Sequence, residues 1–506
     1  MRKLLFSIIV VSAITSLQAQ GINDALRFAQ TNQTGTARFQ AMSGAFGALG
    51  GDLSAIQVNP AGSAIFADTQ IGVTLSSFNT RNKASFYGTL TGENNTSFDL
   101  NQAGAVLVFK NPIEKSGWRK FAIGIAYENN GNFDNTSYVS GLNTTHSIAD
   151  YFLSYANPNP RIGQGGILLN TLDTYNFGEL SYADQQAFIG YQTYMISPDT
   201  NSPDNNTYYN NVPSGSYYQE NYLESTGYNG KVAFNASAQY KDFLSIGLNI
   251  NSHFTDYVQT TTFYEDNNNS STTGVRNFVF DNNLHTYGNG FSFQLGAIAK
   301  ITNALRAGIA YESPTWYTLR DELNQNAASR GFFTTPVGDP VLTEAYSNSD
   351  IITIFEPYKL KTPGKWTGSV AYVFNKSGLI SIDFGIKDYS NTRFRSNGFS
   401  LENTDMNNLL NYAPEIRVGA EKRIKKWSLR AGYRFEQSPY KNGKTIGDLT
   451  GISGGFGYSF GYTKIDLAYT HLQRDTQQSM FSQGFTDAPT IKAQNNNIAL
   501  TVTFDL

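Results

Sequence analysis

The chain has 506 residues, with Lys+Arg 37 against Asp+Glu 40 and a net charge of -3. That balance leaves no basic footprint for nucleic acid, and the 15% charged content lies well below the ~25% of soluble domains. Cys is 0 and His is 4, which excludes disulfides, thiol catalysis and cysteine-held metals, so neither a cofactor nor a metal is expected.

Arg2 and Lys3 precede an apolar run from Leu4 to Ile14, and Leu17-Gln18-Ala19 ends on a small residue. Residues 1–19 therefore read as a secretory signal peptide, with the mature chain starting at Gln20. Losing Arg2 and Lys3 takes the net charge from -3 to -5. No later stretch approaches the ~18 consecutive apolar residues of a transmembrane helix. The chain is expected to be periplasmic, secreted, or inserted in an outer membrane by strands.

Residues 20–68 are not strand-like. They hold the small-residue run Ala41-Met42-Ser43-Gly44-Ala45-Phe46-Gly47-Ala48-Leu49-Gly50-Gly51-Asp52 and then Asn59-Pro60-Ala61-Gly62. Ahead of a barrel, such a segment either hangs in the periplasm or fills the lumen as a hatch, where Gly and Ala permit close approach to the wall. A phosphate-binding loop is the competing idea, but no Lys-Ser/Thr follows the glycines.

From residue 69 to 506 a period-two pattern recurs. Phe291, Phe293, Leu295, Ala297 and Ala299 alternate with Ser292, Gln294 and Gly296. Trp427, Leu429, Ala431, Tyr433 and Phe435 alternate with Ser428, Arg430, Gly432 and Arg434, and Ile498, Leu500, Val502, Phe504 and Leu506 close the chain in the same way. A strand sends successive side chains to opposite faces, so each segment has one apolar face. The rule yields about fourteen strands of roughly 10–12 residues, the length a tilted membrane strand needs. They begin near Thr69, Gln102, Arg119, Gly230, Phe243, His285, Asn303, Pro363, Leu379, Ala413, Lys426, Leu449, Thr463 and Gln494.

Short connections such as Tyr240-Lys241-Asp242 and Asn375-Lys376-Ser377-Gly378 alternate with long polar stretches around 79–98, 131–228, 258–284, 315–350, 390–412, 438–448 and 474–493. That parity predicts an all-β fold, a transmembrane antiparallel barrel with tight periplasmic turns and long outer loops. A single half-buried strand of a soluble sheet would alternate too; the repetition and the loop parity argue for the barrel.

Within the long loop 131–228, Ser147–Leu153 and Ser181–Ile196 carry apolar residues at helical spacing behind plausible serine N-caps. They either pack the loop over the barrel mouth or gather an apolar ligand; Phe152, Leu153, Phe188, Ile189 and Tyr191 are the candidates for an outer apolar groove. The inward charges, including Arg306, Asp383, Glu415, Arg417, Glu421, Arg430, Arg434 and Asp466, interleave both signs, unlike the single-sign lining of a selective pore. His146, His253, His285 and His471 make no catalytic constellation, so no enzyme is expected; a His253–His285 metal pair is the weaker reading of two neighbouring strands.

The run Met42-Ser43-Gly44-Ala45-Phe46, then Asp52 and Asn59-Pro60-Ala61-Gly62, resembles the N-terminal hatch of the FadL/TodX family. The likeness continues through Pro363, Gly364, Trp366 and Gly368-Ser369-Val370-Ala371-Tyr372, then Pro414-Glu415-Ile416-Arg417-Val418-Gly419, Leu429-Arg430-Ala431-Gly432-Tyr433 and Ser438-Pro439. Departures are Gly50-Gly51-Asp52, a terminal Leu506 where such barrels commonly end in Phe, and the length of loop 131–228. The resemblance implies a passive, monomeric outer-membrane transporter for hydrophobic small molecules such as long-chain fatty acids or aromatic hydrocarbons. Its setting is outer-membrane lipid and lipopolysaccharide, which dissolves such molecules poorly. Capture among the outer loops, transfer to a barrel pocket and sideways release through a kink in the third strand are what the family implies, with Asn59, Pro60, Ala61 and Gly62 in the gating hatch. In this chain Asn130-Gly131-Asn132 is the place where that strand's pairing could break. A polar-solute porin and a surface adhesin are the alternative readings.

Overall fold

The computed structural model describes residues 20–506 apart from 114–116, 161–163, 268–270, 272, 334–340 and 348–349. The expected signal peptide, residues 1–19, lies outside the described residues.

Fourteen antiparallel strands form the wall: β1 Gln70–Phe86, β2 Thr89–Lys110, β3 Trp118–Asn132, β4 Tyr217–Tyr240, β5 Leu244–Asn267 and β6 Gly274–Lys300. There follow β7 Leu305–Glu312, resuming as Trp316–Phe333, and β8 Tyr358–Lys361, resuming as Lys365–Val373. The wall is completed by β9 Gly378–Asp388, β10 Tyr412–Ile424, β11 Trp427–Glu436, β12 Ile446–Ser459, β13 Thr463–Gln477 and β14 Thr490–Asp505. Each strand pairs with its sequence neighbours, and β1 pairs with β14 from Gln70↔Asp505 to Ser85↔Thr490, which closes the barrel. Closure leaves no open sheet edge, the condition for backbone to cross a bilayer as strands. No described helix is long and apolar enough to cross one.

The sense of the alternation identifies the solvent. On β1 Ile71, Val73 and Leu75 are exposed while Gly72, Thr74 and Ser76 face inward; on β9 Ile380, Ile382 and Phe384 are exposed and Ser381 and Asp383 buried; on β14 Ile498, Leu500 and Phe504 are exposed and Ala499 and Thr501 buried. A half-buried soluble strand would show the reverse. Aromatic pairs cluster near the ends of this belt: Trp118–Tyr240 at 5.2 Å and Trp427–Tyr458 at 4.7 Å beside the short turns, Tyr311–Trp366 at 4.7 Å toward the long-loop end.

The strands run farther than the apolar pattern predicts. The stretch 79–98, expected as a long loop, is a β-hairpin in which β1 and β2 pair from Gln70↔Val106 to Phe86↔Thr89. Tyr87 and Gly88 form its two-residue turn, both at positive φ (46° and 84°), as a tight hairpin twist requires. Likewise β5 and β6 pair through the expected loop 258–284 as far as Asp266↔Asn277. These extensions stand above the apolar belt and are rich in Asn and Thr on both faces, with separate aromatics such as Phe263, Phe278 and Phe280 turned into the cap, so hydrophobic alternation does not mark them.

Loop 131–228 also departs from a simple loop. Its start continues as strand Asn135–Asn143 on the extension of β4, and its middle folds into α3 Ala149–Ala156, α4 Leu169–Thr174 and α5 Tyr182–Gln192, once α1 Ile22–Ala29 and α2 Ala37–Ala41 are counted in the N-terminal segment. Ser181 caps α5 by accepting from Asp184 N–H at 3.3 Å, as its position predicts. A sixth helix, α6 Ser400–Leu409, fills the β9–β10 connection. Helices α3, α4 and α5 and the loop before β14 form a cap whose core holds Phe152, Phe263, Phe278, Phe280 and Phe485.

Candidate functional site

Residues 20–68 sit inside the lumen, and the wall is shaped to receive them. A Cβ on Gly296 of β6 would lie 2.0 Å from Asn59 Oδ1, one on Gly308 of β7 would lie 2.2 Å from Gly47 O, and one on Gly247 of β5 would lie 2.4 Å from the Pro60 backbone. Glycine here permits contact between the hatch and the wall backbone that any side chain would prevent.

Polar ties then fix the hatch around the circumference. Asn59 Nδ2 donates to Gly47 O at 2.7 Å and to Ala297 O of β6 at 3.1 Å, while its Oδ1 accepts from Ala61 N–H at 3.1 Å and so caps the 3-10 helix Pro60–Ile65. Asn235 Nδ2 of β4 donates to Pro60 O at 2.9 Å, Asn249 Nδ2 of β5 to Ile56 O at 2.9 Å, Gln294 Nε2 of β6 to Gln57 O at 2.8 Å and Arg306 Nη1 of β7 to Leu49 O at 3.0 Å. Gly47 N–H donates to Asp383 of β9 at 2.9 Å, and Ala37 N–H to Thr501 of β14 at 2.7 Å. Asn59, Pro60, Ala61 and Gly62 are therefore buried between β4 and β7.

The interleaved charges meet around the same hatch. Glu421 of β10 accepts from Arg38 of α2 at 2.8 Å, from Arg430 of β11 at 2.8 Å and from Arg423 at 2.7 Å; Glu415 accepts from Arg417 at 2.6 Å and from Lys365, and forms an ion pair with Arg434 at 2.8 Å. Each carboxylate is matched by several cations, which offsets the cost of burying it and leaves no single-sign path for an ion.

Above the hatch lies a cavity of about 1210 Å³. Its floor is α1 and the chain before it, its walls are the polar extensions of the strands, and its roof is α3, α5, α6 and the loop 477–489. Tyr151, Tyr155, Phe263, Phe280, Leu472 and Phe481 give it apolar surface, and asparagines and glutamines give much of the rest.

Beside this cavity the wall ladder is incomplete. β2 and β3 pair from Lys110↔Lys120 to Gln102↔Glu128 and no farther, although β2 runs on to Thr89. Both strands are irregular at that level. The β1–β2 register jumps from Thr74↔Gln102 to Leu75↔Leu100, expelling Asn101, and the β3–β4 register jumps between Asn129 and Gly131, expelling Asn130. At Asn130-Gly131-Asn132, where a break was expected, the β3–β4 pairing continues past the bulge to Asn132↔Tyr228, and the ladder that stops is β2–β3. The hatch holds both bulges: Gly35 N–H donates to Asn101 Oδ1 at 2.8 Å and Asn32 N–H to Asn130 O at 2.9 Å. Farther out, among the described residues, the contacts across the gap are made by side chains on at least one side, among them Asn132 Nδ2 to Ser97 Oγ at 3.0 Å, Asn129 Nδ2 to Asp99 Oδ2 at 3.3 Å and Thr91 Oγ1 to Tyr138 O at 2.5 Å. A side-chain contact of this kind opens without breaking a backbone ladder.

The five candidates for an apolar groove lie elsewhere. Phe152 and Ile189 are 0% exposed in the cap core, Leu153 and Phe188 pack against that core, and Tyr191 donates its hydroxyl to Asp173 at 2.9 Å. None lines the cavity; Tyr151, Ser154 and Tyr155 on α3 and Tyr182 on α5 do. Asparagines such as Asn82, Asn282 and Asn497 also line the cavity, and their signal in the sequence is Asn recurring inside strands. His253 and His285 are not brought together: His253 bonds Ser292 at 2.8 Å and His285 faces Asp256 at 3.3 Å. Among the described residues no group of His, Asp and Glu could hold a metal.

Residues 193–505 match the family described as outer membrane protein transport protein (OMPP1/FadL/TodX). A FadL homologue of Pseudomonas aeruginosa superposes with a TM-score of 0.54 at 13% identity, covering 94% of this chain and 99% of that one. The toluene transporter TodX of P. putida superposes at 0.51 with 14% identity, covering 94% and 99%. At such identities the likeness is one of fold. No curated protein matches the chain.

Proposed function

The chain belongs to the OMPP1/FadL/TodX family of outer membrane transport proteins, a family of channels and not of enzymes, and from that premise we propose that it imports elongated hydrophobic molecules across the outer membrane without an energy source. Long-chain fatty acids and aromatic hydrocarbons belong to the class considered. Exported by residues 1–19 and working as a single barrel, the protein takes its cargo from the outer face into the cavity under the cap. The cargo leaves sideways between β2 and β3 into the bilayer. The hatch, through Asn59, Pro60, Ala61 and Gly62, closes the axial route. Burial of apolar chain contributes ~0.8 kcal/mol per CH₂, so a long chain is held without elaborate polar recognition.

One observation carries this reading: a large cavity stands over a lumen occupied by the hatch and reaches, at Asn132, the only place among the described strand pairs where a barrel ladder stops halfway. A porin needs an open axis, which the hydrogen bonds from β4, β5, β6, β7, β9 and β14 to the hatch do not leave. The adhesin reading has no comparable observation in its favour.

The test uses the absence of native cysteine. Ser97→Cys with Asn132→Cys places a redox-controlled link across the gap. Uptake of tritiated hexadecanol and hexadecanoate is measured in a Gram-negative host lacking its own transporter. Uptake above empty vector, lost on oxidation and restored by reductant, is the expected outcome. Uptake indifferent to the link would mean another exit, and uptake of neither compound by correctly inserted protein would overturn transport of long-chain molecules.

A further inference from the structure

The outward face of the wall carries a separate chemistry just above the hydrocarbon belt, whatever the barrel imports. At the long-loop end of β7 and β8 the belt closes on aromatics. Trp366 lies 4.7 Å from Tyr311, and Trp316 stacks on Phe291 and Phe293, each at 6.4 Å. Tryptophan and tyrosine in such a ring mark the boundary between acyl chains and headgroups.

Directly above this ring the outward positions are cationic. Lys361 of β8 pairs with Trp316 on one side and with Arg393 on the other. In the next outward row Lys359 pairs with Thr318, and Arg395 N–H donates to Lys359 O at 2.7 Å. Arg320 follows one outward position beyond Thr318. Outward positions on a strand recur about every 7 Å, so all five cations lie within the headgroup layer above Trp316. The alternate residues of the same strands, Tyr317, Leu319, Tyr358, Leu360 and Phe394, are buried together in one apolar core. A register slip that turned the cations inward would expose that core, so their outward placement is fixed by the fold.

These charges are also unspent. Among the described residues, Arg320, Lys359, Lys361 and Arg395 make no ion pair and no side-chain hydrogen bond. The lumen cations Arg38, Lys365, Arg417, Arg430 and Arg434, by contrast, all meet carboxylates. Carboxylates on the same outer face are engaged or lie farther out. Asp388 accepts from Ser390 and Asn391, Asp256 faces His285 at 3.3 Å, Glu322 accepts from Tyr287 at 3.0 Å, and Glu356 stands beyond Tyr358. Free cations at the edge of the hydrocarbon attract lipid phosphates, arginine through its fork and lysine as a point charge.

We propose that this face binds lipopolysaccharide through its lipid A anchor, with Arg320, Lys359, Lys361 and Arg395 on the phosphates and Trp316 and Trp366 against the acyl chains. Lipid A carries its phosphates on a disaccharide immediately above its acyl chains, which is the order in which the cations follow the tryptophans. The site holds the barrel's lipid surroundings and takes no part in moving cargo.

Purified full-length protein in detergent is titrated with bisphosphoryl lipid A, with the same molecule stripped of both phosphates, and with phosphatidylglycerol, and bound lipid is read by native mass spectrometry. Lipid A should bind roughly tenfold tighter than either reference lipid. Lys359→Gln, Lys361→Gln and Arg395→Gln together should remove that advantage. Arg81→Gln, Lys83→Gln and Lys492→Gln, an equal loss of charge on β1 and β14, should preserve it. Lys361→Gln alone should cost about threefold, which keeps the test intact if the triple variant does not insert. Equal binding of the stripped molecule or of phosphatidylglycerol overturns the proposal, as does equal loss in the two triple variants. Heparin, a soluble sulfated polysaccharide, displacing lipid A at equal concentration would overturn it too, in favour of a soluble anionic partner.

Discussion

Glu265 shows how much a single side chain can govern in the cap. It sits on the outer extension of β5, 2% exposed, accepting from Ser147 Oγ–H, from Ile148 N–H at 2.9 Å and from Gln219 Nε2 at 2.8 Å, and so ties the start of the helical cap to the wall. Burial pushes its carboxyl up to about 7, with the three hydrogen bonds opposing that shift. A carboxyl whose folded value stands above its unfolded value of 4.5 favours the folded cap most when protonated. Its contribution is therefore complete below about pH 4.5 and is lost as pH rises through about 7, a difference of about 3 kcal/mol. Limited proteolysis of the cap should be faster at about pH 8 than at about pH 5.5, and Glu265→Gln should make the two rates equal. Equal rates in the unmodified protein would remove Glu265 as the cause.

Among elements, the hatch and the wall depend on each other at backbone contact. Gly296→Val places a side chain where Asn59 Oδ1 stands 2.0 Å from the ideal Cβ position, so the 3-10 helix Pro60–Ile65 must leave its seat. The barrel keeps its strand pairing, since β6 needs no special backbone angle there, and planar-bilayer conductance should rise severalfold from a nearly closed baseline. Gly368→Val, on the lipid face with nothing within 4 Å, should leave conductance unchanged. The membrane-crossing strands are legible in the sequence because one solvent, lipid, enforces alternation from Ile71 to Phe504. The extensions above them are not, because Asn94, Asn282 or Asn495 gains nothing from facing either side in water. The hatch segment is marked in the sequence by its small-residue run from Ala41 to Asp52 and by Asn59-Pro60-Ala61-Gly62; the capping of Pro60–Ile65 by Asn59 is seen only in the structure. The groove candidates illustrate the remaining difficulty: helical spacing marks Phe152 and Ile189 as apolar-facing, but a helix buried on one side and bordering a cavity on another has two such faces.

For the whole molecule, the closed ladder, the lumen filled by the hatch and the half-paired β2–β3 seam are the features on which the proposed lateral route rests. The same contacts make the hatch and its wall a matched pair. Where Gly247, Gly296 and Gly308 meet Pro60, Asn59 and Gly47, each surface is the mould of the other, and most of the matching lies in backbone and not in exchangeable side chains. Residues 20–68 are thus not a portable module. Transferred into a barrel of this fold that lacks glycine at the three facing positions, they should fail to seat, leaving that barrel leaky in the same bilayer assay until the glycines are introduced as well. The boundary between plug and pore, obvious when the chain is traced, is not a boundary along which the protein can be divided.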